Sequence, residues 1–345
     1  GSRPACISND TGMLLFYTDG YKVFDRNHQI MQNGNSIAVN SWFVQNSIVI
    51  PLPGHAQIYY LITLVPTKYL KYHIIDMNKN GGYGKVVSKH NVFANFTNSG
   101  LSAIHNADKK SVWILTHELN TNAFKAYRMS SSGINYVPIT SNVGAVASVR
   151  YNCDNSCSYA PEEGEIKFSP DGNKIAAITY DTFGFAHFEM FDFNNKTGKV
   201  TNAISIDTID NTSNYQIGGF EFSPNGRYLY VRKIFGSPYS DSIYQYDLNM
   251  KGSEVCNSSK VILFDTIGQL YSGFSLELAI DGKIYIGHTY KHAIPIIPEP
   301  NNPANSCLID VRGIDLGYYY CGQHLPQFLQ SYFFKPFFDA KNTCL

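Results

Sequence analysis

The chain has 345 residues, of which 44% are hydrophobic and 16% are charged, and its 27 basic and 27 acidic residues cancel at neutral pH. The charged fraction is well below the roughly 25% that is usual for soluble domains, and 25 tyrosines and 22 phenylalanines supply the difference. The chain has no net charge and no basic run, so its composition argues against nucleic acid as a partner. Its apolar runs are well short of the about 18 residues that a transmembrane helix needs, which argues against a membrane span.

The chain begins with Gly-Ser, which is typical of a cloning scar, so residues 1–4 are predicted to be scar and linker. No signal peptide follows, but a missing native start would remove it, and export therefore stays open. The length suits one large repeat domain or two ordinary ones. We predict a single domain over residues 1–345.

A three-residue pattern, Asp-x-Asn after an alternating apolar run, recurs along the chain. Clear copies begin at positions 25, 76, 192 and 247, and looser copies begin at positions 128 and 299. Successive positions are separated by 51, 52, 64, 55 and 52 residues. Six units of nearly constant length predict a repeat architecture.

Each unit has the pattern of β-strands, because its apolar residues alternate and are mostly β-branched or aromatic. The clearest unit contains FEFSPNGRYLYV, in which Pro-Asn-Gly joins two strands as a hairpin turn, and the preceding unit has Pro-Asp-Gly at the same place. Asp-x-Asn ends the third strand, where it is expected to cap the next turn. Four antiparallel strands repeated six times predict an all-β fold, a β-propeller of six four-stranded blades. Seven blades are the alternative, but no seventh unit is found.

Both chain ends and the longest interval depart from this pattern. The N-terminal unit, MLLFYTDGYKVFDRN, supplies only a second and a third strand. The C-terminal LPQFLQSYFF is predicted to provide the missing innermost strand and to close the ring, which removes an open sheet edge. The 64-residue interval is explained by an insertion on one face, at about residues 140–163.

The loops that follow the second strands surround one mouth of a propeller, and several carry residues able to bind a ligand. We predict that they form a ligand-facing rim of eight residues: His117, Glu118, Tyr180, Asp181, Arg232, Lys233, His288 and His292. Nearby aromatic side chains would suit a sugar or a peptide, which can stack on their apolar faces. The alternative is that these are ordinary solvated loop residues and that the aromatic residues serve the core.

A catalytic site is less well supported by the sequence. No G-x-S-x-G nucleophile elbow is present, so a peptidase with a hydrolase domain is not expected. A lactonase would need acids and histidines that converge on the central tunnel, often around a metal ion. The sequence does not decide whether its candidates converge: Glu118, Asp181, His105, His117 and His288.

Metal and disulfide patterns are weak. The segment DMNKNG at residues 76–81 resembles the start of a calcium loop, but Val87 stands where such a loop needs a bidentate Glu. A glycine-rich turn is therefore favoured, and no cofactor is predicted, with calcium as the alternative. The seven cysteines lack the paired spacing of a zinc site, and Cys153 and Cys157 are the candidates for a local disulfide.

Nine segments, in order, resemble a known family. They include TGMLLFYTDGYKVFDRNHQIMQNG, FEFSPNGRYLYV and LPQFLQSYF, and they extend from about residue 5 to residue 335. The family is the N-terminal propeller region of gliding-motility-associated surface proteins, which bacteria export by type IX secretion. The resemblance implies a secreted or cell-surface location, a longer parent protein with a sorting domain that this chain lacks, and a binding or display role. The chain has CGQHLPQF where the family has GLPNF, and a disulfide between Cys157 and Cys321 would mark its lineage.

We therefore predict a non-catalytic recognition or adhesion module, secreted or on the cell surface, that binds a glycan, a peptide or a partner protein through one face. The alternative is a lactonase-like or other hydrolase with a metal-assisted site at the central mouth. A third hypothesis is a structural spacer in a surface filament, which would show a uniformly polar surface on both faces.

Overall fold

The computed structural model of the protein describes residues 4–37, 47–65, 69–95, 97–148, 164–183, 185–209, 215–236, 239–249, 261–267, 275–288, 291–322 and 324–333. Within these residues the chain forms six small antiparallel β-sheets, which are arranged as the six blades of a β-propeller. The predicted all-β class and the number of blades are thereby confirmed. None of the helices in the described residues is long and apolar enough to cross a membrane.

The blades are numbered in chain order, and their strands are as follows. Blade 1 contains β1 (Ala5–Ser8), β2 (Leu14–Thr18) and β3 (Val23–Asp25). Blade 2 contains β4 (Ser47–Pro51), β5 (Ile58–Val65), β6 (Tyr69–Asp76) and β7 (Lys85–Asn95). Blade 3 contains β8 (Thr97–His105), β9 (Val112–Glu118), β10 (Thr121–Ser130), β11 (Gly133–Ile134) and β12 (Ile139–Ala147).

The second half of the chain continues the series. Blade 4 contains β13 (Glu165–Phe168), β14 (Lys174–Tyr180), β15 (Ala186–Asn194) and β16 (Lys199–Ile209). Blade 5 contains β17 (Tyr215–Phe222), β18 (Tyr228–Gly236), β19 (Tyr239–Asp247) and β20 (Val261–Ile267). Blade 6 contains β21 (Leu276–Leu278), β22 (Ile284–Ile286), β23 (Ala293–Ile297) and β24 (Asp310–Asp315), and a short helix, α1 (Gln330–Phe333), follows.

The first strands of the blades lie at the centre, where neighbours contact each other: β1 with β4, β4 with β8, β8 with β13, β13 with β17, and β17 with β21. Consecutive strands within a blade are antiparallel. In each blade, therefore, the turn that joins the second strand to the third lies on the same face of the propeller as the start of the first strand. We call this the upper face. The turns from first to second strands lie on the opposite, lower face.

Aromatic side chains form much of the core between neighbouring blades. The rings of Phe124 in blade 3 and Phe191 in blade 4 meet edge to face with centroids 4.8 Å apart. Phe188 in blade 4 packs against Phe220 in blade 5 at 5.0 Å. Such aromatic pairs stabilise the fold by more than the burial of their apolar area alone would provide. Part of the high aromatic content is therefore explained by the interfaces between blades.

The Asp-x-Asn pattern caps turns, as predicted. β3, β6 and β19 end at Asp25, Asp76 and Asp247, and each of these carboxylates accepts the backbone N–H two residues further on, at 2.8, 2.9 and 3.0 Å. In blade 4 the cap shifts to Asn194, whose side-chain oxygen accepts from the backbone N–H of Lys196. The calcium-like segment at Asp76 is thus a capped turn that runs into a short 3-10 helix, Asn80–Gly82.

The Pro-Asp-Gly and Pro-Asn-Gly segments are tight turns on the lower face. Gly172 donates its N–H to Ser169 O at 2.8 Å, and Gly226 makes the equivalent bond to Ser223 O at 2.8 Å. Both glycines have left-handed backbone angles, with φ of +70° and +69°. Glycine adopts this region without the steric cost that a Cβ atom adds.

The two turns differ in the space beside the glycine, which gives a matched pair of substitutions. A Cβ on Gly172 would lie 2.7 Å from Asn195 Nδ2 and 2.8 Å from Ile104 Cδ1, whereas one on Gly226 would meet nothing within 4 Å. We expect Gly226→Ala to lower the free energy of unfolding by about 1–2 kcal/mol and Gly172→Ala by about 1–3 kcal/mol more, because it adds overpacking. Urea unfolding followed by circular dichroism measures both. Equal losses for the two variants would mean that Asn195 and Ile104 move aside at no cost.

Three expectations about the ends of the pattern need correction. The innermost strand of blade 1 comes from the N-terminus as β1, and the strand that is missing from the described part of this blade is the outermost one. The C-terminal segment does not form the expected strand in the described residues, because it makes one parallel bridge between Gln327 and Ala5 and then turns into α1. Blade 3 has five strands, since both β11 and β12 pair with β10.

The expected insertion at residues 140–163 belongs in part to a β-strand whose pairing is interrupted by a bulge. Residues 140–147 belong to β12, which pairs with β10 from Thr121↔Ala147 to Ala126↔Ile139. Polar and apolar residues alternate too weakly in this stretch for its sequence to predict an outer strand. The remainder of the expected insertion, residues 149–163, lies outside the described residues.

Candidate functional site

Four charged side chains meet at the centre of the propeller, on the first strands of blades 4, 5 and 6. The ammonium group of Lys167 lies 2.9 Å from Glu221 Oε2, 3.1 Å from Glu277 Oε2 and 3.9 Å from Glu165 Oε1. All four residues are at most 5% exposed. Lys167 also donates to Leu276 O at 2.5 Å. A buried charge is tolerated when it is paired and hydrogen-bonded, and this cluster meets that condition.

Glu221 joins the cluster to the backbone of two blades and to the C-terminal segment. Its Oε2 accepts from Lys167, from the backbone N–H of Leu278 at 3.0 Å and from Gln330 Nε2 at 2.9 Å. Its Oε1 accepts from the backbone N–H of Phe222 at 2.8 Å. One carboxylate thereby joins blades 4, 5 and 6 and the C-terminal segment.

Sequence reasoning missed this cluster, although a signal was present. Lys167, Glu221 and Glu277 occupy equivalent positions in three repeats, each two residues before the residue that begins the lower-face turn. A charged residue at the same place in otherwise apolar first strands is unusual, because the first strands of a propeller are buried. This recurrence is the signal from which the convergence could have been predicted.

The C-terminal segment fills the space between the first strands. Leu325 N donates to Ser275 Oγ at 2.8 Å near the upper face, and Gln327 N donates to Pro4 O at 2.9 Å. Gln327 Nε2 then bonds to Leu101 O at 3.0 Å. At the lower face Ser331 Oγ lies 2.9 Å from His105 Nδ1. The segment therefore runs from the upper to the lower face through the centre.

A small cavity remains beside this segment at the lower face. It is lined by Lys167, Glu277, Gln327, Gln330 and Ser331, among others, and has room for only a few water molecules. The Oε1 atom of Gln327 is buried without a hydrogen-bond partner. A bound water would satisfy this oxygen, and the cavity is too small for a sugar or a lactone.

The predicted rim residues of blade 3 separate into one buried and one accessible side chain. His117 is 1% exposed, packs edge to face on Phe124 at 4.7 Å, and places Nδ1 3.1 Å from Glu118 O. Glu118 is partly exposed and pairs with Lys125 at 3.3 Å. A buried side chain cannot contact a ligand, so His117 is corrected to an interior residue.

Burial of histidine predicts a loss of stability in acid. Burial lowers the pKa of His117 to about 4, and burial, together with nearby His90, Lys71 and Lys89, lowers that of His73 to about 3. Both lie below the ordinary value of 6.5, so the folded state resists protonation while the unfolded state accepts it. Their contribution to stability is complete above pH 6.5 and is lost progressively as the pH falls toward 4 and 3.

We therefore expect the free energy of unfolding to fall below pH 6.5, with His117 accounting for about 3 kcal/mol by pH 4. His117→Gln should flatten this pH dependence. Urea titrations at several pH values give the slope. An unchanged slope in His117→Gln would mean that this imidazole is protonated in the folded protein.

The blade 4 residues lie on the upper face, where β14 ends. Tyr180 O accepts the N–H of Ser148 at 2.8 Å, which ties the turn to blade 3. Asp181 Oδ2 lies 3.0 Å from His187 Nε2, and its Oδ1 accepts from two backbone N–H groups. Burial raises the pKa of Asp181, but the hydrogen bond from His187 and those from the backbone outweigh it and hold the pKa below its ordinary value. Phe183 in the same turn is 69% exposed.

The blade 5 residues are interior cations and not rim residues. Arg232 is 1% exposed and donates from Nη1 to Gly287 O at 2.5 Å, which joins β18 to blade 6. Lys233 is 2% exposed, forms an ion pair with Asp207, and lies over the ring of Tyr244. Adjacent strand residues point to opposite faces of the sheet, and here both sides face neighbouring structure. The prediction that these two residues face a ligand is corrected accordingly.

The blade 6 residues lie on the upper face beside a patch of tyrosines that sequence reasoning did not single out. His288 N–H donates to Cys321 Sγ at 3.4 Å, and His292 Nδ1 lies 3.1 Å from Tyr319 O. The imidazole of His292 is 4.3 Å from the ring of Tyr320. Three consecutive tyrosines, Tyr318, Tyr319 and Tyr320, are 97%, 79% and 60% exposed. We call these three residues the tyrosine patch.

The predicted rim residues thus belong to two pairs of neighbouring blades. Contacts join the blade 3 and blade 4 loops through Ser148, and they join blade 5 to blade 6 through Arg232 and Gly287. The convergence that the sequence left undecided is not observed in the part of the chain that the structure describes, because His105 ends a first strand at the lower face, whereas His117 and Asp181 lie where second strands end, at the upper face. Among the described residues, no group of three or more His, Cys, Asp or Glu side chains is arranged to hold a metal ion.

The described cysteines are free thiols. Cys6, Cys307 and Cys321 form no disulfide, and burial raises the pKa of each. Cys321 was one half of the bond that the family resemblance implied. The candidates Cys153 and Cys157 lie outside the described residues.

Comparisons with known proteins identify no family for this chain. No family model matches the chain, and no curated protein matches it. Among solved structures, the chain is similar to a 6-phosphogluconolactonase-like protein of Bacteroides uniformis, with 12% identity and a TM-score of 0.41 over 85% of this chain and 90% of that chain. It is also similar to hydrazine synthase of Kuenenia stuttgartiensis, with 13% identity and a TM-score of 0.47 over 94% and 83%. A third similar structure is the BP39L lectin of Burkholderia pseudomallei, with 6% identity and a TM-score of 0.43 over 74% and 68%. At these values the similarities carry no argument about activity or ligand.

Proposed function

We propose that this protein is a non-catalytic recognition or adhesion module that binds a glycan, a peptide or a partner protein through its upper face. The observation that carries the proposal is the tyrosine patch, with three consecutive side chains at least 60% exposed. Exposed aromatic groups on a fixed loop are costly in water and are typical of binding surfaces. The patch adjoins His292, and Phe183 adds a further exposed ring on the same face.

The centre of the propeller supports binding over the hydrolase alternative. A metal-assisted hydrolase would have its site at the central mouth, with carboxylates and histidines free to bind a cation. Here the ammonium group of Lys167 lies between the carboxylates of Glu221 and Glu277. The C-terminal segment takes up the remaining space, and the cavity beside it is too small for a lactone. The exposed aromatic residues likewise disfavour a purely structural spacer.

We propose further that the protein is secreted or displayed on the cell surface as part of a longer chain. The support is the order of the sequence segments that resemble gliding-motility-associated, type IX-secreted proteins. Protease shaving of intact host cells, followed by mass spectrometry, tests this location. Peptides that appear only after cell lysis would contradict it.

The C-terminal segment is also proposed to close the ring. It contacts Ser275, which precedes β21, and Pro4, which precedes β1. These are the two first strands at the ends of the contact series around the centre. The segment would thereby take the closing role that a C-terminal strand was expected to fill.

The binding proposal is tested with a screen of glycans, peptides and proteins against the purified chain. We expect a ligand whose binding is lost in Tyr319→Ala, on the upper face, and kept in Ile280→Ser. Ile280 is 58% exposed in the lower-face turn of blade 6 and serves as the matched control. Loss of binding in Ile280→Ser alone, or hydrolysis of a panel of lactones by the wild type, would overturn the proposal.

A further inference from the structure

We infer that the tyrosine patch binds carbohydrate, and specifically a neutral oligosaccharide; this inference rests on the proposed function and names its ligand class. The first support is the chemistry of the segment. Residues 316–322 read LGYYYCG and contain no charged side chain. A tyrosine ring offers an apolar face and a hydroxyl, which match the C–H faces and hydroxyls of a sugar ring. An acidic peptide or a phosphate would instead call for arginine or lysine in the segment.

The second support is that the patch is held in place by its backbone. Leu316 N donates to His292 O at 2.7 Å, and Cys321 N donates to Lys291 O at 2.8 Å. Between them, Tyr319 N bonds to Leu316 O at 3.1 Å and closes a turn. The backbone from which the tyrosines project is therefore fixed. Each side chain loses rotational freedom about only two bonds when a ligand binds. A preorganised aromatic platform is suited to a ligand that brings stacking and little charge.

The third support is the shape and polarity of the surroundings. At 97% and 79% exposure, Tyr318 and Tyr319 project outward and do not line a concave pocket. The side chains that anchor a peptide or a protein partner usually enter pockets from which water is excluded, whereas a sugar ring can stack on a projecting aromatic face. Nucleic-acid bases also stack on such rings, but they need a positively charged groove, and the chain has no net charge.

His292 supplies a polar group of defined direction at the edge of the patch. Its Nδ1 lies 3.1 Å from Tyr319 O, and a carbonyl oxygen can only accept, so Nδ1 carries the proton. In the neutral ring Nε2 is then the acceptor. A sugar hydroxyl can donate to it while the ring stacks on a neighbouring tyrosine.

The test is calorimetry with neutral oligosaccharides (cello-, xylo-, manno- and chito-oligosaccharides), with uronic-acid and sulfated oligosaccharides, and with a peptide library. We expect a neutral oligosaccharide to bind with little change in Kd between low and high salt. The double variant Tyr318→Ala/Tyr319→Ala should weaken binding by about tenfold or more, and Tyr318→Phe/Tyr319→Phe by less than about threefold, because the rings remain.

Tyr136→Ala is the matched control, since Tyr136 is 52% exposed on the lower face and bonds through its hydroxyl to Tyr72 at 2.9 Å. It should bind as the wild type does. If a peptide or an anionic oligosaccharide binds and the double alanine variant abolishes it, while no neutral oligosaccharide binds, the inference of a neutral oligosaccharide is overturned and the recognition module stands. If nothing in any class binds the wild type, both are overturned.

Discussion

Replacing Lys167 by methionine is expected to lower the free energy of unfolding by about 3–5 kcal/mol at neutral pH. Methionine keeps much of the apolar length of the side chain but removes the ammonium group. Three buried carboxylates, Glu165, Glu221 and Glu277, would then lie together at the centre without the cation that separates them. Removing one partner of a buried pair is costly because the other charge stays out of water.

The matched control is Lys174→Met in the adjacent strand of the same blade. Lys174 bonds to Asp192 at 2.5 Å, but the two side chains are 43% and 39% exposed. Water screens such a pair, so its loss should cost at most about 1 kcal/mol. Urea unfolding at constant ionic strength measures both variants. A loss below about 1 kcal/mol in Lys167→Met would show that the carboxylates are neutralised in another way.

Truncation of Leu329 is expected to lower the free energy of unfolding by about 2–5 kcal/mol, the range for large-to-small changes in a packed core. Leu329 is fully buried and packs with residues of blades 2 and 3, including Ile48 and Leu101. It belongs to the C-terminal segment, so Leu329→Ala tests whether that segment is part of the core. The cost arises from lost apolar burial and from the cavity that remains.

Leu308→Ala is the control for this prediction, because Leu308 is 74% exposed and should change stability by less than about 0.5 kcal/mol. Equal stability of Leu329→Ala and Leu308→Ala would place the C-terminal segment outside the core in solution.

Several features of this protein were predictable from its sequence because they depend on neighbours along the chain. Apolar alternation predicts strands, since successive side chains of a strand point to opposite faces. The turns at Gly172 and Gly226 follow from residue types that accept a left-handed backbone, and the caps at Asp25, Asp76 and Asp247 follow from carboxylates that bond two residues ahead. The spacing of these local signals also predicted six blades.

The candidate site was predictable only in part. Loop position correctly placed Asp181 and His292 on one face, since all second strands run in the same direction. The burial of His117, Arg232 and Lys233 was not predictable, because it depends on which neighbouring blade packs over each strand. Polarity alone made these three residues resemble rim residues.

The sequence by itself therefore determined the strands, the turns and the number of repeats of this protein, all of which arise from interactions within a few residues. Only the tertiary structure decided what meets at the centre and on the upper face. Lys167 and Glu221 are 54 residues apart, and Glu221 and Gln330 are 109 residues apart. The arrangement of the six blades around one centre brings such residues together, and the same packing places the segment after β24 against His292 and leaves its tyrosines in water.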